Sequence, residues 1–227
     1  MDAVALYNAG TAALEDGQLR PAQDLLTQAI QASNVPTIQG PAWRNLGIAL
    51  RKAGSTQQAA EAFLHALQID GNDALARYSF ANTLVAMGRY RQAIEAFQVV
   101  RLARPNWAQP VNNEGAAWMA MGRTTEAEAC FKEAVRIDPQ FAHAWGNLGA
   151  ARAAQGRHAA PLHTLQKALS ISPNNQQIRS QLGHLLTELG HFDSAIRTFE
   201  ALLQSNPNHP ASLEAARILS EPLDAQP

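Results

Sequence analysis

The sequence predicts an all-α protein, a solenoid of about six stacked helix pairs with one further helix at its C-terminal end. Three observations carry this. Glycines at 54, 88, 122, 156 and 190 fall 34 residues apart, with Gly17 preceding the series by 37. Other registers keep the same period: Gly47, Ala81, Gly115, Gly149 and Gly183; Phe63, Phe97, Phe131 and Phe199; Ala59, Ala93, Ala127 and Ala195; Pro105, Pro139, Pro173 and Pro207. Within a period, apolar residues recur at spacings of three and four, which marks one face of a helix. A repeating pair of short helices cannot bury that face alone, so the units must stack.

The repeats fall at about 3–36, 40–73, 74–107, 108–141, 142–175 and 176–209. In the first, Gly10 and Gly17 hold the two glycine positions. The second shows the plan most fully: Trp43, Leu46, Gly47 and Leu50 form one helix face, and Ala59, Phe63, Ala66 and Leu67 the other. Gly54 closes the first helix, where a left-handed residue satisfies the carbonyl end. The third and fourth repeat this with Gly88, Phe97 and Pro105, then Gly122, Phe131 and Pro139. Each proline ends its second helix by removing a donor and restricting its predecessor. In the fifth, Pro161 replaces the expected alanine and Leu165 the phenylalanine; Pro161 lies near a helix start, where a missing N–H is harmless, although the helix is expected to pack more loosely. The sixth returns to Gly183, Gly190, Ala195 and Phe199. Residues 210–220 read as a capping helix and 221–227 as a tail or linker. Three extra residues within 34–41 read as a longer surface loop, or as a joint that alters the angle after the first repeat.

The runs Trp43-Arg44-Asn45-Leu46-Gly47 and Trp145-Gly146-Asn147-Leu148-Gly149 resemble the opening signature of the tetratricopeptide repeat family; Gly54, Ala59, Phe63 and Ala66 match the rest of one repeat, and Gly122, Ala127, Phe131, Ala134 and Pro139 match that of another. The resemblance covers roughly nine-tenths of the chain. It implies a right-handed superhelix whose first helices line a concave groove, with function carried on groove residues outside the core.

Composition narrows the chemistry. With 18 Lys+Arg against 19 Asp+Glu and a net charge of −1, the composition gives no reason to expect a nucleic-acid partner, which needs a basic surface, and leaves room only for local basic patches. A single cysteine excludes an internal disulfide. No run of 18 apolar residues suggests membrane insertion, and the start, Met1-Asp2-Ala3-Val4, lacks the cationic stretch of a signal peptide, so a cytoplasmic protein is expected. His158, His163 and His191 sit in or near turns and make a poor metal set. Cys130 has no basic or histidine neighbour at helical spacing except Arg123 in the preceding turn, and reads as a surface or half-buried thiol. Glu126 and Glu128 face different sides of a helix, a poor acid/base pair. No enzyme activity, cofactor or metal is expected.

One first-helix register is polar in all six repeats: Asn8, Asn45, Ser79, Asn113, Asn147 and Gln181. Each amide offers a donor and an acceptor, so a line of them can pair with an extended peptide backbone, or it can bond within the repeats. The line is similar to the asparagine ladder of the tetratricopeptide superhelix in peptide O-GlcNAc transferases. Around it, Arg44, Arg51 and Lys52 form a cationic spot suited to a carboxylate. Tyr78, Asn82, Asn112, Met119, His143 and His184 complete the expected groove, and Gly146, Ala150 and Ala153 leave room in repeat five. The function expected is a scaffold binding an extended protein or peptide segment. The alternatives are a substrate-docking arm of a larger glycosyltransferase or sulfotransferase, and a self-assembling scaffold forming homo-oligomers.

Overall fold

A computed structural model describes residues 2–157, 159–205, 207–208, 210, 213 and 216–217. Among them are twelve α-helices and no strand: α1 (Ala3–Glu15), α2 (Leu19–Ala32), α3 (Pro36–Lys52), α4 (Thr56–Ile69), α5 (Ala74–Ala86), α6 (Tyr90–Ala103), α7 (Ala108–Ala120), α8 (Thr124–Ile137), α9 (Ala142–Ala153), α10 (Ala159–Ile171), α11 (Gln176–Glu188) and α12 (Phe192–Ser205). The fold is all-α and of the solenoid class, as the period predicts. Most of the expected capping helix, the tail and His158 lie outside the described residues.

Two compact units divide the chain, 1–117 and 118–227. In the first, α1 to α6 each pack against the next, and α1 also touches α3, as α3 touches α5. In the second, α8 to α12 pack in sequence and α9 touches α11. First helices of successive repeats therefore meet directly, while second helices, among the described residues, meet only their sequence neighbours. Within each unit the first helices thus form a layer of their own.

The turns explain the glycine period. Gly17, Gly54, Gly88, Gly122, Gly156 and Gly190 all have φ between 71° and 86°, a region where a Cβ is strained. The following N–H reaches back to the last turn of the first helix in every case, as from Ser55 to the Leu50 carbonyl at 2.9 Å and from Arg89 to Leu84 at 2.8 Å. That bond closes the carbonyl end of the helix.

The second glycine register has a packing cause. A Cβ on Gly183 would stand 2.5 Å from Cε1 of Phe199, and one on Gly47 2.7 Å from Cε1 of Phe63. Glycine lets the phenylalanine ring lie against the backbone of the facing helix. Phe63, Phe97, Phe131 and Phe199 are all fully buried. Leu165 is buried as completely, so the loosened packing expected of repeat five is not found there.

The signature tryptophan position supplies a hydrogen as well as a ring. Trp145 Nε1 donates to the carbonyl of Pro139 at 3.0 Å, in the preceding turn. Arg77 takes the same role toward Gly71, and Arg179 toward Pro173. Asp2, Asp73 and Asn175 cap α1, α5 and α11 with their side chains. Each supplies an acceptor to otherwise unpaired N–H groups.

Two expectations need correction. The extra residues after repeat one form no loop: α3 begins at Pro36 and continues through Pro41. Pro36 suits a first helical position, and Gln39 Nε2 donates to the Ile30 carbonyl at 3.1 Å, tying the added turn to the end of α2. Cys130 is neither exposed nor half-buried; it is buried in α8.

Candidate functional site

Within each unit the first helices carry only part of the expected groove set on accessible surface, and part of the polar register bonds inside the protein. In α3, Asn45 is buried and its Nδ2 donates to Thr11 Oγ1 of the preceding repeat at 3.0 Å. In α7, Asn113 Nδ2 donates to the Tyr78 hydroxyl at 3.1 Å and to Asn82 Oδ1 at 2.8 Å, both on α5. Asn113 Oδ1 accepts from Asn112, itself buried, at 3.2 Å. Tyr78 is held further by ring contact with Trp107, centroids 4.6 Å apart. At these two positions the register links a repeat to its predecessor. Asn113→Ala should lower stability by about 1.5–4.5 kcal/mol, three hydrogen bonds' worth, read as a fall in the urea midpoint.

Arg44 meets a carboxylate of its own chain. Its Nη1 lies 2.7 Å from Asp73 Oδ2, so the expected cationic spot is partly neutralised by the residue that caps α5. Arg51 and Lys52 stay exposed in the last turn of α3, where positive charge complements the helix dipole. Asn8 is exposed on α1.

In the 118–227 unit, Met119, Asn147 and Gln181 are half-buried and His143 is exposed, 3.5 Å from Asn175 Nδ2. His184 packs edge-on against Phe199. Gln181 differs from its counterparts. Its Oε1 is buried and has no hydrogen-bond partner. Where Asn113 finds Tyr78 and Asn82 on the preceding repeat, the same two places before Gln181 hold Gly146 and Ala150. A Cβ on Gly146 would sit 3.5 Å from that orphan oxygen.

Charged clusters escaped the sequence reading. Glu114, buried in α7, receives Arg101 Nη1 at 2.9 Å and Gln98 Nε2 at 3.2 Å from α6. Glu128, buried in α8, is met by Lys132, Arg152 and Arg157 together. Burial would raise its pKa, but hydrogen bonds from the three cations outweigh that and bring it down to about 2. A signal was present: arginine follows the turn glycine at 89, 123 and 157.

Two tetratricopeptide repeat models match the sequence, one over residues 50–111 and 152–218, the other over 7–74 and 113–175. The chain belongs to the tetratricopeptide repeat family. Like the family generally, this tetratricopeptide repeat protein is a protein-interaction scaffold, a fold that is typically non-catalytic. Among solved structures it is similar to the Cut9–Hcn1 hetero-tetramer of the APC/C, with a TM-score of 0.78 and 18% identity over 97% of this chain and 43% of that one. PilF of Pseudomonas aeruginosa matches with a TM-score of 0.78 at 15% identity, over 95% and 97% of the two chains. TTC0263, a thermophilic TPR protein of Thermus thermophilus, gives 0.68 at 23% identity, over 79% and 98%. These likenesses are of fold. No curated protein sequence matches the chain. None of the described helices is long and apolar enough to cross a membrane.

Proposed function

We propose that this protein binds an extended segment of a partner protein along the layer of its first helices, with the contact centred on α9 and α11. The observation that supports this reading most directly is the orphan acceptor of Gln181. A buried polar atom without a partner is costly, and this one faces a backbone made bare by Gly146. A peptide N–H from an extended ligand is the donor that the preceding repeat fails to supply, and rotation of the half-buried glutamine brings the oxygen to it. Asn147, His143 and His184 flank the place, and Asn8, Arg51, Tyr78, Asn82, Asn112 and Met119 belong to the same layer of first helices in their own units.

Two changes separate the roles. Gln181→Met keeps the shape and removes the unsatisfied acceptor, so the melting temperature should hold or rise. Linear peptides selected from a random phage-displayed library on the full chain should then bind Gln181→Met about tenfold more weakly than the parent, about 1.4 kcal/mol. Equal affinity for both proteins, measured by titration calorimetry, overturns the assignment.

A further inference from the structure

Glu128 is met by more positive charge than it needs. Its side chain is 7% exposed, and its two oxygens accept from Lys132 Nζ at 3.0 Å, Arg152 Nε at 3.1 Å and Arg157 Nη2. Gln155 Nε2 adds a bond to Oε2 at 3.4 Å and anchors itself on the Thr124 carbonyl at 3.0 Å. One carboxylate thus gathers three cations, a local surplus of two positive charges in a chain whose net charge is −1. Neighbouring acids do not cancel it: Glu126 pairs with Arg123, and Glu133 with Arg136.

Burial of a carboxylate requires a counter-charge and satisfied oxygens, which one arginine with Gln155 would go far to provide. Converging two further cations works against mutual repulsion. Their heads are not sealed in: Lys132 and Arg157 are 54% and 45% exposed, and Arg152 21%. Arg152 uses only Nε on Glu128, so its paired Nη groups remain as a fork for a second carboxylate. The cluster joins α8, the end of α9 and the turn after it, away from Gln181 in sequence and on different residues from the polar first-helix register.

The geometry points to a second docking site, in which Lys132, Arg152 and Arg157, held together by Glu128, bind the carboxylates of an acidic peptide segment of a protein partner. The site does not depend on the groove reading. A surplus of two charges on a few residues fits a short acidic segment, whereas a nucleic-acid backbone calls for a longer basic track.

Fluorescence anisotropy of a labelled hexaglutamate peptide on the full chain tests this at low and at physiological salt. The parent should bind hexaglutamate and not hexaserine, and binding should weaken as salt rises. The double variant Lys132→Gln/Arg157→Gln should lose at least tenfold in affinity with unchanged circular dichroism. Arg20→Gln and Gln181→Met, the first a charge control on an exposed arginine of the 1–117 unit and the second the groove variant, should each change it less than twofold. If the double variant misfolds, the single variant Lys132→Gln, which alters the most exposed head, should still lose at least threefold. No hexaglutamate binding at low salt, an equal loss in Arg20→Gln, or tighter binding of a single-stranded RNA hexamer than of hexaglutamate overturns the proposal.

Discussion

Phe97→Ala should cost about 3–5 kcal/mol of stability, the range for emptying a fully packed aromatic site. The ring has no exposed surface and sits among Ala81, Leu84, Ala93 and Ala96, with Tyr78 tilted against it at 6.1 Å. Three of these buried neighbours are alanines, with little side chain with which to fill the space. Phe97→Leu should be far milder, because Leu165 occupies the equivalent place in repeat five and is itself fully buried. Urea melts followed by circular dichroism separate the two, and equal losses would sink the account. Hydrogen exchange should accelerate first in α5 and α6, whose facing surfaces the ring joins.

Acid should release the Glu128 network next. The carboxyl's pKa falls from 4.5 to about 2 on folding. As pH drops, the unfolded chain therefore takes up the proton before the folded one does. The contribution is whole above about pH 4.5, declines below it, and is gone beneath about pH 2. A shift of this size corresponds to about 3 kcal/mol. Glu128→Gln removes this titration and leaves three cations without their counter-charge, so at neutral pH it should be the less stable protein. Between about pH 5 and pH 3 the parent should lose more of its melting temperature than Glu128→Gln does. Parallel loss in both would assign acid sensitivity to other carboxyls.

The repeat architecture was legible because its causes are local or strictly periodic. A turn that needs positive φ fixes glycine at 54 and 88, and a ring pressed on a backbone fixes glycine at 47 and 183. The added turn of α3 was missed because Pro36 and Pro41 read as loop punctuation, and the Gln39 bond to Ile30 that steadies it has no sequence signature. The groove was less legible. Asn45 and Asn113 follow the polar period as read, but a register shows that residues are equivalent, not which partner their amides take. Arg44 looked free because Asp73 lies in the next turn of the solenoid, and Glu128 looked idle because two of its cations come from the following repeat. Such pairings across a stack are set by stacking offset, which composition and spacing do not encode.

Within each unit, the packing of helices against near neighbours in the chain has a kinetic consequence. Contacts close over roughly one repeat of chain, so little loop entropy must be lost before the first of them forms. Folding of either unit should be fast for its size and nearly independent of how many repeats are appended. It can begin at any well-packed hairpin and spread outward. A terminal hairpin can then open and re-form on its own, exposing and withdrawing its surface while the rest of the stack stays closed.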